Sequence, residues 1–175
     1  MHFRLEQRLT ADLEAVEEAY VDPDLLDALA RLPKLGRPQL IDSDDDGTVV
    51  HQRVRYAFTG HLSPAVTAVV DPHKLTWIEE STLDRRTHVT AFRVVPDHYA
   101  DRLECSGRHE LHELDQSTTL RVTEADITVR FPFVGGKVER AIVSGLSDHA
   151  AAETSVVNDW LAGLTPPPEG ATTEP

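Results

Sequence analysis

A chain of 175 residues, 40% hydrophobic and 27% charged, has the size and make-up of one globular domain able to bury roughly 70% of its unfolded surface. Its formal net charge of -13, with no basic stripe, argues against nucleic acid or an anionic membrane surface as partner. No apolar run approaches the ~18 residues of a membrane span, and the single cysteine, Cys105, excludes an intrachain disulfide and a cysteine-built zinc cage.

The opening stretch "MHFRLEQRL" lacks the apolar core of a signal peptide, so a cytoplasmic protein that is not membrane-integral is expected. Residues 2–9 alternate, with Phe3, Leu5, Gln7 and Leu9 on one face, which predicts a half-buried strand. Thr10 stands where a helix N-cap belongs, ahead of Leu13, Val16 and Tyr20 at helical spacing. Asp22 and Pro23 then suit the cap and first position of a second short helix carrying Leu25, Leu26 and Leu29, and "LPKLGRP" ends it.

From there to Phe131 the pattern is a run of strands. The acidic run Asp42–Gly47 reads as a hairpin turn; as a calcium loop it would need a glutamate at its twelfth position, where Arg53 stands. Val50, Gln52, Val54, Tyr56 and Phe58 share one strand face. Pro64 opens a short helix or covering loop, and hairpins follow around "DRRT" and "DQS". In the second hairpin Leu103, Cys105, Gly107, His109 and Leu111 share a face. One wet face and one buried face fit antiparallel strands. A long helix from about Gly136 to Ala162 closes the domain, with Val138, Ile142, Gly145, Leu146, His149, Glu153, Val156 and Trp160 in one broad sector. The tail from 164 to 175, with three consecutive prolines, has little to bury and is expected to be disordered, leaving residues 1–163 as the domain.

Strand, two short helices, about six further antiparallel strands and one long C-terminal helix: this order resembles the START-like helix-grip (SRPBCC) superfamily. That group includes lipid-transfer domains, pollen-allergen-type carriers and polyketide aromatase/cyclases. The stretch "FPFVGGKVERAIVSGL" followed by "DWL" is similar to the strand-to-helix joint of bacterial members, particularly a branch described only as a domain of unknown function. The resemblance implies an α+β helix-grip fold, a curved antiparallel sheet of about seven strands around the C-terminal helix, with an apolar cavity between them. It transfers no catalytic residue.

His149 and Glu153, four apart on the helix, either anchor a ligand's polar end inside such a cavity or pair at the stripe's edge. His109, Gln52, Tyr56, Trp77, Ile142 and Leu146 complete the candidate ligand wall. No zinc signature surrounds the nine histidines: His109 and His112 should point to opposite strand faces, and His149 has no histidine one turn on. Neither metal nor cofactor is implied, and Cys105 without a basic neighbour reads as a small buried hydrophobe. The expected function is binding or carrying of a small hydrophobic molecule such as a lipid, isoprenoid or polyketide. The alternatives are a cyclase/dehydratase-like enzyme in which His149 or Glu153 moves protons, and a protein-interaction domain.

Overall fold

The structure is a computed structural model that describes residues 1–68 and 70–164. The proline-rich tail expected to be disordered lies, beyond Leu164, outside the described residues. In chain order the elements are β1 (His2–Leu9), α1 (Leu13–Val21), α2 (Pro23–Leu29), β2 (Gln39–Asp45), β3 (Val49–Ala57), α3 (Pro64–Thr67), β4 (Thr76–Asp84), β5 (Val89–Pro96), β6 (Leu103–Asp115), β7 (Thr118–Val129) and α4 (Gly135–Leu161). A single 3-10 turn, Pro72–Lys74, precedes β4. The seven strands form one antiparallel sheet in the order β1-β7-β6-β5-β4-β3-β2. This is the expected α+β helix-grip arrangement.

Local chemistry accounts for most boundaries and corrects two expectations. The cap of α1 is Asp12, not Thr10: its side chain accepts from Ala15 N at 2.8 Å. Thr10 is held outside the helix because its N–H donates to Asn158 Oδ1 of α4 at 2.8 Å. Asp22 ends α1 and caps α2, accepting from Asp24 N with Pro23 in the first turn, as expected. The acidic run is not all turn. Asp42–Asp45 belong to β2, and only residues 46–48 turn, with Gly47 at φ +86°. The Asp45 and Asp46 carboxylates accept from the backbone N–H groups of Gly47, Thr48 and Val49, which lowers their pKa values. Exposed acidic residues along β2 also protect this free sheet edge from pairing with another chain.

The outward face of the sheet is charged and laced with ion pairs, such as Arg4 with Glu124 at 2.6 Å and Arg93 with Glu80 at 2.6 Å. The inward face divides into two apolar clusters. One joins Leu9, Val16, Ala19, Leu25, Ala28 and Val157 where α1, α2 and the end of α4 meet β1. The other joins Phe3, Ala125, Ile127, Val129 and Val138 under the first half of α4. Ala150 and Val157 are among the helix's buried residues although the predicted sector omits them.

Two glycines shape this frame. A Cβ at Gly107 would stand 2.3 Å from the Glu124 carbonyl oxygen and 2.4 Å from Ala125 Cβ, so β6 closes onto β7 only without a side chain there. At Gly135 a Cβ would lie 2.4 Å from the Val129 carbonyl oxygen, which lets α4 start directly against the end of β7. No described helix is long and apolar enough to cross a membrane.

Candidate functional site

Between the curled sheet and α4 lies a cavity of about 620 Å³, in the middle of the range of about 300–1,000 Å³ typical of small-molecule sites. Strand alternation builds its walls. From β4 the inward residues are Trp77, Glu79, Ser81 and Leu83; β6 and β7 supply Cys105, His109, Arg121 and Thr123; α4 roofs the cavity with Ile142, Gly145, Leu146, His149 and Glu153. Most of the lining is aliphatic or aromatic, and Tyr56 and Trp77 stack with ring centroids 5.7 Å apart.

A polar belt crosses this cavity between the two apolar clusters. Arg121 Nη1 donates to Gln7 Oε1 at 2.7 Å and lies 3.9 Å from Glu153 Oε1. Gln7, only 3% exposed, donates from Nε2 toward Ala150 O (3.1 Å), Thr154 Oγ1 (3.2 Å) and Glu153 Oε2 (3.3 Å). The Arg121 guanidinium also covers the Tyr20 ring, 4.3 Å from its centroid. Burial opposes the Arg121 charge, but Tyr20, Glu153 and Glu79 outweigh it and keep the guanidinium's pKa above its ordinary value. Among the described residues Tyr20 Oη is the one fully occluded side-chain oxygen or nitrogen without a hydrogen-bond partner, and burial pushes its ionisation up.

Glu79 is the titratable group of the opposite wall. Burial pushes its carboxyl up to about 7 against the pull of Arg121, with Glu153 adding repulsion. It makes no hydrogen bond among the described residues. Burial raises Tyr56 and lifts the Cys105 thiol to about 11, so Cys105 is not an activated nucleophile. His109 moves the other way: burial, then Arg121, holds it well below its ordinary value, so its ring is neutral. Its Nδ1 lies 2.8 Å from Thr123 Oγ1 and its ring stacks on Phe92. Glu79 and His109 are half-buried, and the surface they retain faces the cavity, which is why both respond as interior groups.

The eight residues singled out from the sequence, His149, Glu153, His109, Gln52, Tyr56, Trp77, Ile142 and Leu146, all lie on this wall. They do not act as one cluster. Glu153 turns to Gln7 and Arg121, and His149 makes no hydrogen bond or ion pair with it. Gln52 donates its amide to Val21 O at 2.9 Å, tying β3 to the end of α1. Trp160 packs on the cluster at the far end of α4 and is absent from the cavity wall. Arg121, Glu79, Gln7 and Tyr20 carry much of the site's polarity and were not singled out. The one available signal was a charge inside an inward alternation, as in Arg121–Thr123–Ala125–Ile127–Val129 and Trp77–Glu79–Ser81–Leu83.

The same architecture recurs in solved structures. The crystal structure of TTHA0849 from Thermus thermophilus is similar at a TM-score of 0.69 and 14% identity, covering 95% of this chain and 100% of that one. The Zhui aromatase/cyclase from Streptomyces sp. R1128 is similar at 0.64 and 17%, covering 93% of each chain. A START superfamily protein from Mycobacterium smegmatis is similar at 0.59 and 14%, covering 94% of this chain and 99% of that one. At these identities the likeness is one of fold, and the fold is START-like. No curated protein matches the sequence. Residues 4–161 match the family described as "Protein of unknown function (DUF2505)", and the chain belongs to that family.

Proposed function

We propose that residues 1–163 act in the cytoplasm as one ligand-binding domain that holds a small hydrophobic molecule, of lipid, isoprenoid or polyketide type, between the sheet and α4. The observation that carries this reading is the cavity itself: about 620 Å³, largely apolar, with polar groups gathered in a belt. Left dry, a void of that size costs on the order of 15 kcal/mol on the scale of about 24 cal/mol per Å³ for engineered cavities. A whole domain is stable by about 5–15 kcal/mol. That scale overstates the cost for an evolved and partly open pocket, but it favours a site filled by water or ligand over a dry one. The charged outward face offers little to an apolar protein partner, which weighs against an interaction domain.

Binding is tested with a neutral environment-sensitive probe, N-phenyl-1-naphthylamine, alongside native mass spectrometry of the purified protein. Saturable 1:1 probe binding is expected, weakened at least tenfold in Gly145→Phe, which places a ring in the cavity. Non-saturable binding, or binding indifferent to that substitution, would overturn the reading.

A second reading, a cyclase/dehydratase-like enzyme, is favoured by Glu79: a cavity-facing carboxyl whose pKa is pushed up to about 7 in a largely apolar chamber suits proton transfer at neutral pH. It requires that Glu79→Gln abolish turnover of a poly-β-ketone substrate while leaving its binding in place.

A further inference from the structure

Arg121 is held in place by more groups than its own pairing requires, and part of its donor capacity is unused. A guanidinium has five N–H donors in a fixed fork. Within the protein the one hydrogen bond of good geometry that it donates runs from Nη1 to Gln7, and Tyr20 Oη lies near enough to interact with the guanidinium without a bond of that geometry. Nε and Nη2 are not sealed off, since Tyr20 Oη is the only occluded and unpaired side-chain polar atom among the described residues. The surface they keep faces the cavity that Arg121 lines. The fork is held in place by neighbours: its central carbon lies over the Tyr20 ring, 4.3 Å from the centroid, and Gln7 is anchored in turn on Ala150 O and Thr154 Oγ1 of α4. Such preorganisation lowers the ordering cost of a ligand that meets it.

The belt also has a defined place in the cavity. Behind it, where α1 meets β1 and the end of α4, Leu9, Val16 and Val157 are each 0% exposed and leave no room for a chain. On the other side the half-buried Leu103, Phe131, Ile142 and Leu146 border open space. A molecule with its polar end at Arg121 therefore extends its apolar part away from that cluster, under the first half of α4 and along the wall of Leu26, Leu29 and Val54.

The sign of the polar end follows from what each charged group can give up. An ammonium group would share the chamber with a guanidinium that stays charged at any ordinary pH. An oxyanion would meet the Nε and Nη2 side of the fork, since Glu153 lies on the Nη1 side and is itself held by Gln7 Nε2. It would share the chamber with Glu79, a half-buried carboxyl whose pKa is raised to about 7 and which can take up a proton. Resting on the binding reading above, we propose that Arg121 is the head-group anchor of this cavity and that its ligand is an apolar molecule ending in a carboxylate or equivalent oxyanion. A fatty acid and an acidic polyketide share that chemistry.

The test is displacement of bound N-phenyl-1-naphthylamine by dodecanoate, dodecanol and dodecylamine, which share a tail and differ in head. A charge-assisted hydrogen bond contributes about 1.5–3 kcal/mol, so dodecanoate should displace the probe at roughly 10- to 100-fold lower concentration than dodecanol, with the amine weakest. Arg121→Met should erase the preference for the acid and leave dodecanol unchanged. Should Arg121→Met fail to fold, Arg121→Lys, which keeps the charge but loses the fork, should shrink the preference by about tenfold. Equal displacement by all three, or strongest displacement by the amine, overturns the Arg121 assignment while the binding reading stands. An acid preference that survives in the variants also overturns it. A probe that does not bind wild-type protein overturns the binding reading and this assignment together. Long-chain acids against aromatic acids of similar size, in the same assay, then separate the two ligand sources.

Discussion

The long helix α4 passes over two regions made of similar residues but filled to different degrees. At its C-terminal end Val157 meets Leu9, Val16 and Leu25, and all four are at most 1% exposed. Under its N-terminal half Val138 faces Phe3, Ile127 and Val129, yet Phe92, Leu103, Phe131, Ile142 and Leu146 around them stay half-buried and border the cavity. Polarity does not separate the two, because both are apolar. Geometry does. At the full end α1 and α2 press in from outside the sheet, clamped by Arg85, which pairs with Glu18 and with Asp45 at 3.0 Å, and by His88, 2.8 Å from Glu17. At the other end the sheet, the single long helix and the covering stretch of His61, Leu62 and Val66 surround a space they do not fill, and β6 closes onto β7 there only because residue 107 is glycine.

The comparison breaks most directly on matched truncations. Leu9→Ala empties a site with no free space around it and should cost about 3–4 kcal/mol, within the range of 2–5 kcal/mol for buried leucines. Ile142→Ala removes a side chain that already borders the cavity, so no new void forms and the cost should be about 1 kcal/mol. Urea unfolding of the two variants measures both. Equal losses would mean that both ends are packed alike.

Much of this frame is legible in the sequence, and its site only partly, for a physical reason. Period-2 alternation in β6 and the apolar stripe of α4 are local patterns, so the sheet, the hairpins and the helix could be read from them. The cap at Asp12 could not be told from Thr10 locally, because what holds Thr10 outside the helix is Asn158, far along the chain. Glu79 and Glu80 are adjacent and chemically identical. What separates them is that Glu80 finds Arg53 and Arg93 on the outer face while Glu79 enters the cavity. Arg121 has the same character: β7 carries Thr119 and Arg121 on one face but Leu120 and Val122 on the other, so its phase is ambiguous until Gln7 and Glu153 are seen waiting for the guanidinium. Inward polar residues are specified by remote partners, which a local pattern does not contain.

The hollow end also carries a titration that the full end lacks. Glu79 has its carboxyl raised from 4.5 to about 7, so between these values the folded state keeps a proton that the unfolded state has released. Stability contributed by this group is therefore lost as pH rises from about 4.5 through about 7 and is flat beyond. At about 1.4 kcal/mol per pH unit the loss is at most about 3 kcal/mol, and cavity water reduces it. His109 acts on the opposite flank: its depressed pKa makes the unfolded state take up a proton first below 6.5, so its contribution is lost as pH falls. Glu79→Gln leaves the His109 effect in both proteins. The variant should thus gain on wild type by up to about 3 kcal/mol between pH 4.5 and pH 8 in denaturant melts. A difference that stays constant across that range would place Glu79 in contact with bulk solvent.

The smallest effect is also the most specific probe of open space. Gly145 sits in the interior of α4, where glycine costs about 0.8–1 kcal/mol relative to alanine. A Cβ built there meets nothing within 4 Å, because the residue faces the cavity. Gly145→Ala should therefore stabilise the protein by about 0.5–1 kcal/mol, raising the thermal midpoint by a few degrees. Gly107→Ala, whose methyl would stand 2.3 Å from a carbonyl oxygen, should destabilise it. Both changes add one methyl group to the inward surface, one over open space and one at the crease that creates it. A loss of stability in Gly145→Ala would mean that sheet and helix meet at that point and that the two ends of α4 are equally full.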